Sequence, residues 1–223
     1  MLQQYLPAML KGMFCTIELV SCALAVGILL AIIMAFVLTL KKTSRWCGPF
    51  KTFIFVFRGT PVLIQIVIIY YGLGQFVWLQ HSVLWPLLKQ PFFCAVMALG
   101  LNTAAYTTEL LVGSIRAIPK GQVAACYAMG MSTWLMYRRI ILPHAMRLAL
   151  PAYSNEVIMV LKATSLASAI TLLELTGTAQ SIIGQTYMTI PFLLLAGGFY
   201  LLLNSVFIGV FKWVEHCYGS TNK

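Results

Sequence analysis

Residues 19–40 read LVSCALAVGILLAIIMAFVLTL, 22 residues in a row without a charge. As an α-helix this stretch is about 33 Å long, enough to cross the hydrocarbon of a bilayer. The rest of the chain has the same character. Of its 223 residues, 61% are apolar or aromatic and 9% are charged, against roughly 25% charged in an ordinary soluble domain. Mean hydropathy is +0.89. This composition excludes a soluble globular domain, a disordered chain and a secreted disulfide scaffold. It points to an all-α polytopic membrane protein. The opening MLQQYLPAMLKGMF lacks the charged region, short apolar stretch and cleavage site of a signal peptide, so the first span is expected to be retained.

Four further spans follow from the weakly charged runs, at about 52–72, 90–113, 148–175 and 191–211. Two stretches do not qualify. Residues 72–88, GLGQFVWLQHSVLWPLL, carry Gly, Pro, two Trp and His81 and suit an interfacial loop. Residues 175–190, LTGTAQSIIGQTYMTI, are too polar to cross. Charge sets the orientation. Loop 41–52 holds Lys41, Lys42, Arg45 and Lys51, and loop 114–147 holds Arg116, Lys120, Arg138, Arg139 and Arg147; the other side holds Lys11 and Lys89. Cytoplasmic loops collect Lys and Arg, so the C-terminus is expected inside and the N-terminus outside. The same rule explains the net charge of +10 without nucleic acid. No repeat or linker interrupts the chain, which is expected to be one transmembrane domain, 1–223, with a core of about 14–212.

Enzymatic chemistry finds no support. There is no Asp, the three His are far apart, and no HExxH, GxSxG or phosphate-binding loop occurs. The six Cys are scattered without a CxxC, so neither a metal site nor a disulfide is expected, nor any cofactor. The informative residues are charges inside spans, which cost about 2.5–3.5 kcal/mol each on insertion scales and therefore face a protein interior or a cavity. In LNTAAYTTELLVG, Asn102, Tyr106, Glu109 and Gly113 form one helical stripe. Thr103 and Thr107 lie beside it and suit contacts between helices. In PAYSNEVIMVLKATSLAS, Tyr153, Glu156 and Val160 share a face, and Asn155, Met159 and Lys162 share another about 100° round. The spacing of Glu156 and Lys162 precludes a pair within a straight helix. Each needs another partner: Arg58, a neighbouring subunit or a ligand. An acid and a base in one cavity match the amine and carboxylate of an amino acid, and a second acid suits a cationic side chain. Arg58 opens RGTPVLIQ, where Pro61 suits a helix break or a helix start. It either pairs with Glu109 or snorkels to the membrane edge.

The cytoplasmic segment SIRAIPKGQVAACYAMGMSTWLMYRRIILPHAMR (114–147) is too long for a simple hairpin. A helix over 122–129 stopped by Gly130, then a second over 134–142 ending at Pro143, would make a docking element. An amphipathic interfacial helix is the plainer alternative.

In this segment Ala124, Ala125, Cys126, Gly130, Ile140, Leu142 and Pro143 stand at the spacings of a known signature: EAA, three residues, Gly, nine residues, I-x-LP. The chain here resembles the HisMQ-type permease subunits of bacterial ABC importers for polar amino acids. FRGTPVLIQ (57–65), NTAAYTTELLVGSIRAIPKGQ (102–122) and SNEVIMVLKATSLAS (154–168) look like further segments of that family. YYGLGQF (70–76), AAYTTE (104–109) and YSNEV (153–157) look most like its arginine permeases. The resemblance implies a type I importer permease fold of five spans per subunit in the bacterial inner membrane. It implies a periplasmic binding protein that delivers substrate and separate ATPase subunits that push a coupling helix, here about 122–131. The family's EAA Glu is Ala124 in this chain, which implies a second, related permease subunit that carries the full motif. Family members hold the amino acid on the third and fourth spans; by that likeness the pathway residues are Asn102, Tyr106, Glu109, Asn155, Glu156 and Lys162, with Gln122 in the coupling loop. Glu109 or Glu156 would then meet the substrate's cationic groups. A permease for histidine, lysine or glutamine is the near alternative. An ion-coupled carrier is the distant one, though it would have no use for an ATPase dock.

Overall fold

The structure, a computed structural model, describes residues 2–40, 45 and 47–219. Lys41 and Lys42, two of the positive charges on the first basic loop, lie outside the described residues. All regular elements among the described residues are helical. They are α1 (Leu2–Leu40), α2 (Cys47–Gly59), α3 (Val62–Val67), α4 (Val77–Gln80), α5 (Trp85–Leu88), α6 (Pro91–Arg116), α7 (Lys120–Ala128), α8 (Thr133–Met136), α9 (Leu142–Ala163), α10 (Leu175–Thr186) and α11 (Thr189–Gly219). Single π turns follow α3 and α8, and a 3₁₀ stretch, Thr164–Ile170, follows α9.

Three helices are long and apolar enough to cross a membrane alone: Gln4–Thr39, Pro91–Arg116 and Thr189–Tyr218. Two bent pairs bring the total to five, Cys47–Gly59 with Val62–Gly72 and Thr133–Ile170 with Leu175–Thr186. α6 is the central helix. It packs on α1, α2, α3 and α9, and its face of Cys94, Ala95, Ala98 and Leu99 is buried against Leu19 and Ala23 of α1, Ile66 of α3 and Val160 of α9. α11 sits at the edge and exposes Leu194, Leu201, Leu202 and Val206, an apolar surface suited to lipid.

Three expectations need correction. The first helix starts at Leu2, not near residue 19. Its Lys11 and Glu18 are exposed, and a helix bonds its own backbone wherever it runs. The second span is not one rod over 52–72. It breaks between Gly59 and Val62, and its second leg is bent by 109° from the first. Pro61, extended at ψ 131°, starts the second leg, as its missing N–H permits. The third correction concerns Pro143, which does not end a helix. Tyr137–Ile141 wind as one π turn and the chain runs on as α9. A helical Pro presses on the carbonyl four residues back; a π turn widens the coil just before Pro143 and relieves that contact.

Residues 175–190, read from the sequence as too polar to cross, hold α10, the second leg of a bent pair, against α1 and α11. Leu175, Ala179 and Ile182 pack with Met9, Phe192 and Ala196. Glu174 is fully buried at the start of α10. Its carboxylate accepts from Thr176 N at 2.9 Å, Gly177 N at 2.8 Å, Tyr200 Oη at 2.8 Å and Thr16 Oγ1 at 3.5 Å. One side chain thus caps α10 and ties it to both long neighbours. Glu174→Ala removes the cap and the bonds from Tyr200 and Thr16 that tie α10 to its neighbours, a loss on the order of 3 kcal/mol. The purified protein should unfold roughly 5–10 °C lower in a thermal melt. An unchanged melting temperature would contradict this role.

Candidate functional site

The break in the second span builds the site. The last carbonyls of a helix have no partner within it, and at the end of α2 two amides supply one. Gln65 Nε2 donates to Phe57 O at 2.9 Å and to Thr60 Oγ1 at 2.8 Å, and Asn102 Nδ2 donates to Phe57 O at 3.0 Å and to Gln65 Oε1 at 3.0 Å. Gln65 is buried. This staple fixes the corner against α6, so that Arg58 to Val62 form one wall of a cavity of about 350 Å³, a size within the usual small-ligand range.

The opposite walls come from α6 and α9. Leu99, Asn102 and Tyr106 line the cavity from α6, and Glu156, Met159 and Val160 from α9. Glu156 is buried, and Thr103 Oγ1 donates to its Oε1 at 3.0 Å. At the edge, the Arg58 guanidinium lies over the Tyr106 ring at 5.2 Å, and its Nη1 is 3.9 Å from Glu109 Oε2. The cavity therefore presents a cation and a carboxylate on different helices, with Asn102 and Tyr106 between them in sequence on α6. That is the complement of a small molecule bearing both charges.

Of the residues expected from sequence, the structure brings Asn102, Tyr106 and Glu156 to one cavity and Glu109 to its rim through Arg58. Asn155 and Lys162 stand exposed on α9 and do not line the cavity, although the Asn155 amide is 3.8 Å from Sδ of Met159, which does. Gln65 and Thr60 were missed, although an amide four residues after Pro61 in an apolar run was the available signal.

The cytoplasmic loop is folded as a unit. α7 ends in a Schellman turn: Gly130, at φ +73°, donates to Tyr127 O at 2.9 Å, and Met131 N donates to Cys126 O at 3.1 Å. Ser132 then caps α8. Cys126 is buried with Ile118, Met136, Ile141 and Ala145, and Ile140 is half-buried beside them. Gln122, Ala124, Ala125, Gly130, Leu142 and Pro143 are exposed. Tyr127, Met129 and Trp134 also stand out from the tip, apolar residues free to enter a partner's cleft.

A family model described as "Binding-protein-dependent transport system inner membrane component" matches residues 27–217. The chain is 46% identical over 211 residues to the octopine transport system permease protein OccM of Rhizobium meliloti, covering 93% of this chain and 84% of that one. It is 45% identical over 213 residues to the arginine ABC transporter permease protein ArtM of Escherichia coli (strain K12), covering 95% of each. Its fold is similar to a crystal structure of an amino acid ABC transporter with histidines, with a TM-score of 0.84, 29% identity and 96% of each chain covered.

Proposed function

Because the chain belongs to the family of binding-protein-dependent transport system inner membrane components, we propose that it is the subunit through which an ATP-driven importer passes arginine into the cell. The coarser statement is plain. The chain is a permease subunit of an ABC importer for amino acids, a membrane protein of the inner membrane and not an enzyme. Such a permease works with an ATPase, a binding protein and a second permease.

The buried Glu156 carboxylate in the cavity carries the arginine reading. A buried acid beside Asn102 and Tyr106 suits a guanidinium or ammonium, and a neutral side chain would leave it unpaired. The names of two relatives, an octopine permease and an arginine permease, support the same reading. Lysine, histidine or glutamine is the alternative within the class. Asn155 and Lys162 would reach the substrate from the side of α9 open to a second subunit. The whole chain, 1–223, acts as one transmembrane unit, and the folded loop 114–147 is its coupling element. Basic loops inside put the N-terminus in the periplasm and the C-terminus in the cytoplasm. The second permease is a related chain with an intact EAA Glu, since Ala124 lacks that carboxylate. ATP energy enters as different contacts of the ATPase with the coupling loop in two states of the pair.

Uptake of labelled arginine by cells with and without this chain tests the reading, with lysine, histidine and glutamine as competitors and a parallel ATP-depleted sample. Uptake that needs both the chain and ATP, and that arginine competes best, is the expected result. Uptake that is indifferent to the chain, or better competed by glutamine, would overturn the arginine assignment.

A further inference from the structure

We propose that Arg58 takes the carboxylate of the transported amino acid, and that it does so by exchanging Glu109 for the substrate. This rests on the cavity reading above and adds to it the group that holds the other end of the molecule.

Arg58 lines the same cavity as Glu156, but its present partner holds it loosely. Its Nη1 is 3.9 Å from Glu109 Oε2, and the two side chains are 43% and 44% exposed. A charge-assisted bond in good geometry is nearer 2.7–2.9 Å. The planar fork that suits a carboxylate is therefore mostly unused. The guanidinium rests on the Tyr106 ring at 5.2 Å, and Tyr106 Oη donates to the Arg58 carbonyl at 3.4 Å. Tyr106 therefore supports the face of the guanidinium while its N–H edges stay available.

The backbone below is fixed. Arg58 lies in the last turn of α2, and the carbonyl of its neighbour Phe57 is held by Gln65 and Asn102. The side chain can change partner without moving the corner. An incoming amino acid brings a carboxylate able to bind the fork through two oxygens, while its cationic end goes to Glu156. Glu109 is then a competitor at the rim. It keeps Arg58 paired when the cavity is empty, and it reclaims Arg58 as the substrate leaves. Such an exchange suits a transporter, which must release what it binds.

The test is direct ligand binding to the purified complex of this permease, its second permease and its ATPase in lipid nanodiscs, without binding protein. The probes are arginine and agmatine, which is arginine without the carboxylate. Wild type should prefer arginine by about tenfold or more, the worth of one charge-assisted bond. Arg58→Gln should lose that preference by weakening arginine alone, and Arg58→Lys should restore part of it. Glu109→Gln should bind arginine several-fold tighter, with agmatine unchanged. Equal weakening of both probes in Arg58→Gln would make Arg58 structural and overturn the proposal, as would weaker arginine binding in Glu109→Gln. If wild type binds both probes equally, the proposal fails and the cavity reading stands. If it binds neither, both fall together.

Discussion

Glu156→Gln is expected to lower ATP-driven arginine uptake about 100-fold, with the complex still assembled, because it removes one charge and almost nothing else. Gln has the shape of Glu, and its amide oxygen can still accept from Thr103 Oγ1, which now donates to Glu156 at 3.0 Å. Packing between α6 and α9 is therefore kept. What disappears is the carboxylate that would face a guanidinium in a cavity walled by Leu99, Met159 and Val160. There water cannot fully replace the lost partner, and a desolvated cation without a counter-charge is costly. The binding protein is a separate chain and still delivers arginine, so the defect appears in transport and not in capture. The measurement is initial uptake rate against arginine concentration, paired with copurification of the ATPase to check assembly. Wild-type uptake in an assembled Glu156→Gln complex would remove Glu156 from the pathway. Glu109→Gln should also slow uptake, but through slower release, so its apparent affinity should rise where that of Glu156→Gln falls.

The residues legible in the sequence were those whose burial in an apolar span carries a large penalty. A charge at that depth has to meet protein or a cavity, and this reasoning reached Glu156 and Glu109 directly. The stripe of Asn102, Tyr106 and Glu109 follows from helical spacing alone, and the structure keeps it on the cavity side. Spacing also separated Glu156 from Lys162, and the first is buried while the second is exposed. Gln65 escaped for two reasons. A neutral amide in an apolar run carries a smaller penalty, and its role exists only because the chain turns through 109° at Pro61 and returns it to the Phe57 carbonyl. The cap that Glu174 makes on Gly177 N is local, but its other partners, Thr16 and Tyr200, lie on helices whose docking no local pattern reveals. Pro143 misled because a π turn, unlike an α-helix, has no clear signature in the sequence.

Gly27→Leu is expected to leave no assembled complex in the membrane, while Gly27→Ala should leave an assembled complex that transports about tenfold more slowly. α1 and α6 cross where Gly27 faces Gly100, and a side chain at either position meets the other helix. A Cβ on Gly27 would overlap the γ-methyl of Thr103 and lie 3.2 Å from the Gly100 carbonyl oxygen; one on Gly100 would lie 3.0 Å from a Val26 methyl. Small residues at such crossings let membrane helices approach, and that contact is much of what holds them together. A leucine cannot fit without parting the helices, and α6 is the element on which every other wall of the cavity packs. A single methyl is different, because the atom in its way belongs to a side chain that can rotate. The rotating side chain is Thr103, whose hydroxyl holds Glu156. Gly27→Ala should therefore act on the cavity from behind, by turning Thr103 away from the carboxylate. Thr103→Ser in the Gly27→Ala background removes the obstructing methyl, keeps the hydroxyl and should restore most of the uptake. No recovery in the double variant, with assembly intact in both, would show that the crossing itself and not the hold on Glu156 sets the rate.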